Sequence, residues 1–293
     1  MLRKSEAIES ESRRFAFGQN WSSFLGKLSP QQVEAAEDSL RTSLAVENLH
    51  GLTFLDVGCG SGLSSLAARR LGATVYAFDY DPLCARCTEL LREEYFPGDR
   101  QWTVTTGSVL DAHFMQSLPQ CDVVCAWGVL HHTGAMWQAV EATAAVVPPG
   151  GRLLIALYND QGETSRQWLR VKQTYNRLPR FLRPAYAAAI MAPSEIPFAW
   201  RPSLLIRPRS YYHEWVRYVR YWRSYYENRG MSRWHDIVDW VGGLPFEVAR
   251  PDEVQRFLEN RDFELQRARL TDGLGCNEFL FRRLGQAEQF EAA

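Results

Sequence analysis

The sequence lacks an apolar run of about 18 residues or more, so no segment predicts a bilayer-spanning helix. The residues after Met1 are polar and do not form the apolar core of a secretory signal, so we expect a cytoplasmic protein. The net charge is −1, so any attraction to nucleic acid or membrane must be local. With 46% hydrophobic and 23% charged residues, the composition excludes wholesale disorder.

Cysteine patterns typical of metal sites are also missing. Of the six cysteines, Cys84 and Cys87 form a C-x-x-C pair, but no second pair stands at the spacing of a zinc site. We interpret the cysteines as small buried hydrophobes of a protein in a reducing compartment. We therefore expect no metal.

The stretch 53–71 is the part around which the rest of the chain is organised. Thr53–Val57 is apolar and predicts a short buried strand, three glycines follow at alternate positions, and helical apolar spacing starts at Leu63. A strand, a glycine turn and a helix form the first unit of a doubly wound α/β sheet. Such a sheet binds its ligand outside the carboxyl ends of its strands.

Two phosphate-binding motifs fit this turn poorly. The dinucleotide fingerprint needs a third glycine where Leu63 stands, and a P-loop needs a lysine that the turn does not have. Asp56, just before the glycines, would repel a pyrophosphate but would suit a ligand that carries an ammonium group. A glycine turn without any ligand is the remaining alternative.

Together with Asp56, the turn D-V-G-C-G-S-G resembles the first motif of the class I S-adenosylmethionine-dependent methyltransferases. The nearest resemblance within that family is to small-molecule methyltransferases of the ubiquinone-pathway O-methyltransferase type. It implies S-adenosylmethionine as the cofactor, held in part by Asp56, Gly58, Gly60 and Gly62. It also implies a Rossmann-like α/β fold with a doubly wound, mostly parallel seven-stranded sheet.

The second and third strands supply the predicted adenosine contacts. Asp79 ends the second strand 21 positions after Gly58, near the spacing at which a carboxylate accepts hydrogen bonds from two ribose hydroxyls. We expect Tyr80 to lie along the adenine. The resemblance assigns Ser108 and Val109, after the third strand, to the adenine as well.

The fourth strand, over 121–126, ends where the family places its substrate pocket. Trp127 follows and belongs by resemblance to the cofactor site. Two histidines at a strand's carboxyl end favour a functional role over packing alone. We expect His132 to face the pocket, while His131 packs or bonds to backbone. A Pro-Pro-Gly-Gly turn at 148–151, before a buried strand, resembles a later segment of the same family.

These motifs divide the chain into four parts. Residues 1–50 predict a helical N-terminal lid, in which Asn20 and Trp21 would contact the cofactor. Residues 51–159 and 246–284 predict the cofactor-binding core, completed by an antiparallel hairpin. Residues 160–245 predict a helical insertion that covers the substrate, and 285–293 a flexible tail.

The insertion contains an aromatic helix, predicted over 211–229. Five of its aromatic residues share one face at helical spacing: Tyr211, Trp215, Tyr218, Trp222 and Tyr225. Three interpretations are open: packing against the sheet edge or a second subunit in a homodimer, a wall of the substrate pocket, or peripheral membrane contact through 209–229. No known nucleic-acid recognition motif accompanies the arginines, so no nucleic-acid partner is expected.

The predicted function is transfer of a methyl group to a small-molecule acceptor by direct displacement. His132, with His235 and Asp236 from the insertion, is predicted to act as the base or to orient the acceptor. One alternative is a module that binds the cofactor without catalysis. A further alternative is a tRNA or protein methyltransferase.

Overall fold

The computed structural model describes residues 28–195, 215–216, 218–220 and 233–285. Asn20, Trp21, the tail from 286 onward and most of the predicted aromatic helix lie outside these residues. The described chain forms two compact units. The first is built from 33–165 and 245–285, and the second from 28–32 and the described part of 166–244.

A seven-stranded sheet with the order β3-β2-β1-β4-β5-β7-β6 forms the first unit. Strand β7 runs antiparallel to β5 and β6, and the other described pairs are parallel. The predicted doubly wound, mostly parallel fold and its antiparallel hairpin are confirmed. The strands are β1 (Thr53–Val57), β2 (Thr74–Asp79), β3 (Trp102–Thr106), β4 (Val123–Trp127), β5 (Arg152–Tyr158), β6 (Phe263–Arg269) and β7 (Cys276–Arg283).

Helices alternate with the parallel strands, as this fold requires. A 3₁₀ turn, Leu130–His132, follows β4. The described α-helices are α1 (Pro30–Leu44), α2 (Leu63–Arg70), α3 (Pro82–Tyr95), α4 (Ala112–Ser117), α5 (Met136–Ala145), α6 (Glu163–Arg177), α7 (Arg183–Glu195), α8 (Arg233–Gly242) and α9 (Pro251–Glu259).

Strand β1 marks the point where the strand order reverses. The chain passes from β1 to β2 and β3 on one side, and returns to β4 and β5 on the other. Asp56 is paired with Ala77 of β2 and with Cys125 of β4, so it stands at this reversal. Ligands of open α/β sheets bind outside the strands' carboxyl ends at such a point. The central strands β1, β4 and β5 are buried over consecutive residues, as expected for strands covered on both faces.

Capping side chains set the starts of two helices where the sequence predicts them. At α1, Ser29 Oγ accepts from the Gln32 N–H at 3.3 Å, and Gln32 Oε1 accepts from the Ser29 N–H at 2.8 Å. At α3, Asp81 Oδ1 accepts from the Leu83 N–H at 2.9 Å, and Pro82 occupies the first helical position.

The second unit has its own small hydrophobic core, formed by residues of α6, α7 and α8. Its buried members are Tyr175, Ala187, Ile237 and Val241. Lys172 is also fully buried here, and its ammonium group contacts the Trp240 carbonyl oxygen and lies 4.8 Å from the centroid of the Trp240 ring. In the described parts of the chain, no helix combines the length and hydropathy needed to cross a membrane.

Candidate cofactor and acceptor site

The glycine turn between β1 and α2 has a backbone that other residues would strain. Gly58, Gly60 and Gly62 have φ angles of 72°, 54° and 81°. A Cβ atom on Gly58 would lie 2.4 Å from Val129 Cγ1, and one on Gly62 would lie 2.9 Å from Thr88 Cα. Both positive φ and close packing therefore require glycine at these two positions.

Asp79 joins this turn to the end of β2. Its Oδ2 accepts from the Gly60 N–H at 2.9 Å, and its Oδ1 accepts from the Asp81 N–H at 2.8 Å. Burial raises the pKa of the Asp79 carboxyl, and the two amide donors oppose that rise in part. The carboxylate is fixed at the place where a ribose is expected.

A second carboxylate, Asp56, lies buried at the base of the turn. Its Oδ2 accepts from the Ser65 hydroxyl at 2.6 Å. Burial raises its pKa to about 6, and the nearby charge of Asp79 adds to the rise. Two carboxylates beside bare backbone amides suit a ligand that combines a cationic group with hydroxyls.

The turn after β3 continues the same edge of the sheet. The Gly107 N–H donates to the Asp79 backbone oxygen at 2.9 Å, and Ser108 Oγ accepts from the Leu110 N–H at 3.2 Å. Val109 is buried, whereas Tyr80 and Trp127 are exposed at the ends of β2 and β4. Asp79 thus bonds to Gly60 through its carboxylate and to Gly107 through its backbone oxygen.

An aromatic cluster stands at the carboxyl ends of β4 and β5. His131 is fully buried, and its ring centroid lies 3.8 Å from that of Tyr158 and 4.4 Å from that of His132. The His132 ring meets Tyr158 edge to face at 5.4 Å. Phe246 lies 5.3 Å from Tyr158 between ring centroids. His131 is therefore the packed member of the histidine pair.

The segment 245–249 is hydrogen-bonded across these strand ends. The Pro245 carbonyl oxygen accepts from His132 Nδ1 at 2.7 Å, and the Glu247 N–H donates to the His131 oxygen at 3.0 Å. Because a carbonyl only accepts, the hydrogen of neutral His132 is on Nδ1 and the basic nitrogen is Nε2.

Glu247 also reaches the start of α5. Its two carboxylate oxygens accept from the Met136 N–H at 3.2 and 3.1 Å. Burial raises the pKa of Glu247, and the amides of Met136 and Gly134 oppose that rise. A carboxylate at a helix N-terminus is stabilised by the helix dipole. This contact holds the 245–249 segment against the start of α5.

The remaining predicted catalytic residues lie in the second unit. His235 and Asp236 are in the first turn of α8, and the Asp236 side chain is half-buried. Their role toward an acceptor stays a prediction, as do the roles of Asn20 and Trp21 outside the described residues.

The sequence did not predict that four further residues surround the histidine pair: Tyr158, Pro245, Phe246 and Glu247. Tyr158 had one usable signal, because it ends a buried strand at the edge where ligands bind. The other three lie in a loop with no motif, and only the fold brings them to the histidines.

Comparison with known proteins places the chain in a family. The sequence model of a methyltransferase domain matches residues 28–267, more than half of the chain. The chain belongs to this methyltransferase-domain family. The predicted family and the fold are confirmed, and the family supports S-adenosylmethionine as the cofactor. The positive-φ glycine turn and its two carboxylates fit such a ligand.

Curated relatives of this methyltransferase domain include ubiquinone biosynthesis O-methyltransferases. That of Methylobacterium sp. (strain 4-46) is 33% identical over 125 residues, covering 41% of this chain and 46% of the relative. That of Citrobacter koseri is 32% identical over 123 residues, covering 41% of this chain and 47% of the relative. The chain thus spans about half the length of the curated relatives it matches.

Solved structures support the fold. The magnesium protoporphyrin IX methyltransferase of Synechocystis PCC 6803 with bound SAH is 14% identical, with a TM-score of 0.55 over 95% of this chain and 99% of that chain. An O-methyltransferase family protein from Burkholderia thailandensis is 13% identical, with a TM-score of 0.51 over 87% of this chain and 57% of that one.

Proposed function

We propose that this methyltransferase domain transfers a methyl group from S-adenosylmethionine to a small-molecule acceptor. The observation that carries the proposal is the carboxylate of Asp79 bonded to the Gly60 amide, beside buried Asp56, at the reversal of strand order. The family match and the names of the curated relatives support a small-molecule acceptor.

The cofactor site has two ends in this proposal. Asp56 and the amides of the glycine turn receive the amino acid end, and Asp79 receives the ribose hydroxyls. Tyr80, Ser108 and Val109 surround the adenine. Trp127, Asn20 and Trp21 complete the site. When bound, S-adenosylmethionine supplies a methyl group already activated by its sulfonium.

His132 acts on the acceptor side. Its Nε2 would take the proton of an acceptor hydroxyl as the oxygen attacks, or would remove a proton from an acceptor ammonium before the freed nitrogen attacks. The methyl–sulfur bond would break as the new bond forms, and its electron pair would stay on the sulfur. His235 and Asp236 assist as base or orienting groups. Alignment lowers the barrier by several kcal/mol, and a positioned base contributes ~10²–10⁴-fold in rate.

Membrane contact, dimerisation and cellular location are also proposals. Peripheral membrane contact through 209–229 and a homodimer remain predictions from the sequence. A cytoplasmic location is supported by the six cysteines, all of which are free thiols.

Two measurements test the proposal. Calorimetry should detect binding of S-adenosylmethionine and of its demethylated product, and Asp79→Ala or Gly60→Val should abolish it. Asp252→Asn, an exposed carboxylate on α9, is the matched control and should bind normally. Labelled methyl from the cofactor should then appear in a component of a metabolite extract.

The rival functions give different results. Binding without labelled product from any extract would indicate a non-catalytic module. Transfer of label to tRNA or protein instead of a metabolite would replace the small-molecule assignment, and binding of a tRNA substrate should weaken steeply with salt. Normal cofactor binding by folded Asp79→Ala protein would remove the basis of the proposed site.

A further inference from the structure

The charge of the chain is strongly segregated. Residues 164–235 contain fourteen Lys or Arg and three Glu, whereas the rest of the chain contains nineteen Lys or Arg and 31 Asp or Glu. No acidic residue occurs between 164 and 194. Although the net charge of the whole chain is −1, residues 164–235 form a basic segment, most of which belongs to the second unit. A partner of that segment is expected to be anionic.

An apolar tip projects from the same unit between α6 and α7. The side chain of Phe181 is 79% exposed and that of Leu182 is 42% exposed. The tip has a defined backbone, because the Leu182 N–H donates to the Pro179 oxygen at 2.9 Å and Arg183 Nε donates to the Leu178 oxygen at 3.0 Å. The fold therefore holds two large apolar side chains in the solvent.

Cations stand next to this tip in the chain. Arg180 directly precedes Phe181, Arg177 lies three residues before Arg180, and both are exposed. Within the described part of the chain, neither of them forms an ion pair with a carboxylate. Their charges are thus available to an external anion beside Phe181 and Leu182.

A second exposed surface of this unit also combines apolar side chains with an arginine. Trp215 is 43% exposed, Val216 and Val219 are exposed on the same short helical stretch, and Arg220 is exposed beside them. Aromatic and aliphatic side chains interleaved with arginine are typical of surfaces that lie at a lipid–water interface.

We propose that the second unit binds an anionic lipid bilayer, with Phe181 and Leu182 entering the interfacial region and Arg177 and Arg180 contacting lipid phosphates. Nucleic acid would account for the arginines, but not for an aliphatic side chain exposed beside the phenylalanine. The tip differs from the 209–229 contact predicted from the sequence. The inference does not rest on the methyl-transfer reaction.

Vesicle sedimentation with the full chain tests this proposal. Wild-type protein should bind vesicles that contain phosphatidylglycerol and should bind pure phosphatidylcholine vesicles much less. The double variant Phe181→Ser/Leu182→Ser should bind the anionic vesicles at least about tenfold more weakly, because buried apolar contact is lost. Arg180→Glu should weaken binding at least about fivefold, the effect of one basic residue at an anionic surface.

Matched controls lie in the first unit. Leu270→Ser replaces a leucine that is 56% exposed, and Arg100→Glu reverses an exposed arginine. Both should bind vesicles as the wild type does. Phe181→Leu keeps an apolar tip and should retain most of the binding. Comparison of this variant with the serine variant separates the loss of apolar contact from other effects of substitution at this position. Circular dichroism of every variant checks that it is folded.

Three results would overturn the proposal. One is equal vesicle binding by wild type and the Phe181→Ser/Leu182→Ser variant. Another is tighter binding of wild type to duplex or single-stranded nucleic acid than to anionic vesicles, lost in Arg180→Glu but not in the apolar variant. The third is a change of oligomeric state in the apolar variant with vesicle binding unchanged, which would assign the tip to a second copy of the chain.

Discussion

The imidazole of His132 donates through Nδ1 to the carbonyl oxygen of Pro245 at 2.7 Å, across 113 residues of sequence. The contact joins the turn after β4 to the segment that leads into α9. Two backbone bonds support it, from Glu247 to His131 at 3.0 Å and from Ala249 to Tyr158 at 2.9 Å. The orientation and the tautomer of His132 are therefore set from outside its own loop.

His132→Asn should lower kcat/KM for a hydroxyl acceptor by ~10²–10⁴-fold, the usual contribution of a general base. The asparagine amide occupies the position of Nδ1 and still donates to Pro245, but nothing replaces Nε2. Affinity for S-adenosylmethionine should be unchanged, because the proposed cofactor contacts are untouched. Steady-state kinetics and calorimetry measure the two quantities.

His132→Gln and a change of acceptor provide the controls. The glutamine amide mimics Nε2 and loses the bond to Pro245, so this variant should be slow and also less well ordered. An acceptor already ionised at the assay pH needs no base and should be methylated by His132→Asn at nearly the wild-type rate. An equal loss on both acceptors would assign His132 to positioning and not to proton transfer.

Gly58→Ala should destabilise the first unit by about 2–5 kcal/mol. Part of this comes from placing a non-glycine residue at φ 72°, and part from the 2.4 Å approach of the new Cβ to Val129 Cγ1. Urea unfolding measures the change. The variant should also bind S-adenosylmethionine poorly, because the turn must shift.

Gly98→Ala isolates the backbone contribution to this effect. Gly98 has φ 74°, and a Cβ added there would meet nothing within 4 Å. Its destabilisation should be only about 1–2 kcal/mol. Val129→Ala in the Gly58→Ala background should restore part of the lost stability. If the two single glycine variants are equally unstable, packing against Val129 has no role.

Asp56 makes the stability of the first unit depend on pH. Burial raises its pKa from 3.8 to about 6 in the folded chain. The folded state therefore holds the proton more tightly than the unfolded state, and stability should fall as the pH rises from about 4 to about 6. The full effect is on the order of 3 kcal/mol. Thermal unfolding across this range measures it.

Asp56→Asn should remove the contribution of Asp56 to this slope and leave those of the carboxyls of Asp79 and Glu247, while keeping an oxygen acceptor for the Ser65 hydroxyl. Cofactor binding should show the opposite trend in the wild type, since an ammonium favours the ionised carboxylate and affinity should drop below about pH 6. If the stability of the wild type does not change between about pH 4 and about pH 6, then solvent reaches Asp56 and keeps its pKa near the ordinary value.

Most of the confirmed predictions rest on short-range sequence patterns. Asp56 near the end of β1, the glycines that follow and Asp79 at the end of β2 are short-range features. Parallel pairing of the two strands brings both carboxylates to one edge. The caps Ser29 and Asp81 are features of the same kind, because each accepts from an amide only two or three positions away.

The missed features depend on contacts between distant segments. Pro245 meets His132 only because the chain returns from the insertion across the ends of β4 and β5, and no local pattern encodes that path. Helix α5 begins at Met136, and the carboxylate that accepts from its first amide belongs to Glu247, 111 residues later in the sequence. Pro193 lies in the last turn of α7, which ends two residues later at Glu195.

Lys172 should make the second unit more stable as the pH rises above neutrality. Burial lowers its pKa from 10.5 to about 7, and the charge of Asp239 opposes part of that change. Between these values the unfolded chain binds more protons than the folded one, so stability should increase with pH by up to about 1.4 kcal/mol per unit. Amide hydrogen exchange of α6 and α8, corrected for intrinsic rates, measures this for the unit itself. Lys172→Met has similar length and no charge, so it should remove the slope and slow exchange at pH 7. Lys172→Arg stays charged at every pH and should exchange faster throughout, without the slope. Equal slopes in the wild type and in Lys172→Met would assign the pH dependence to a group other than this amine.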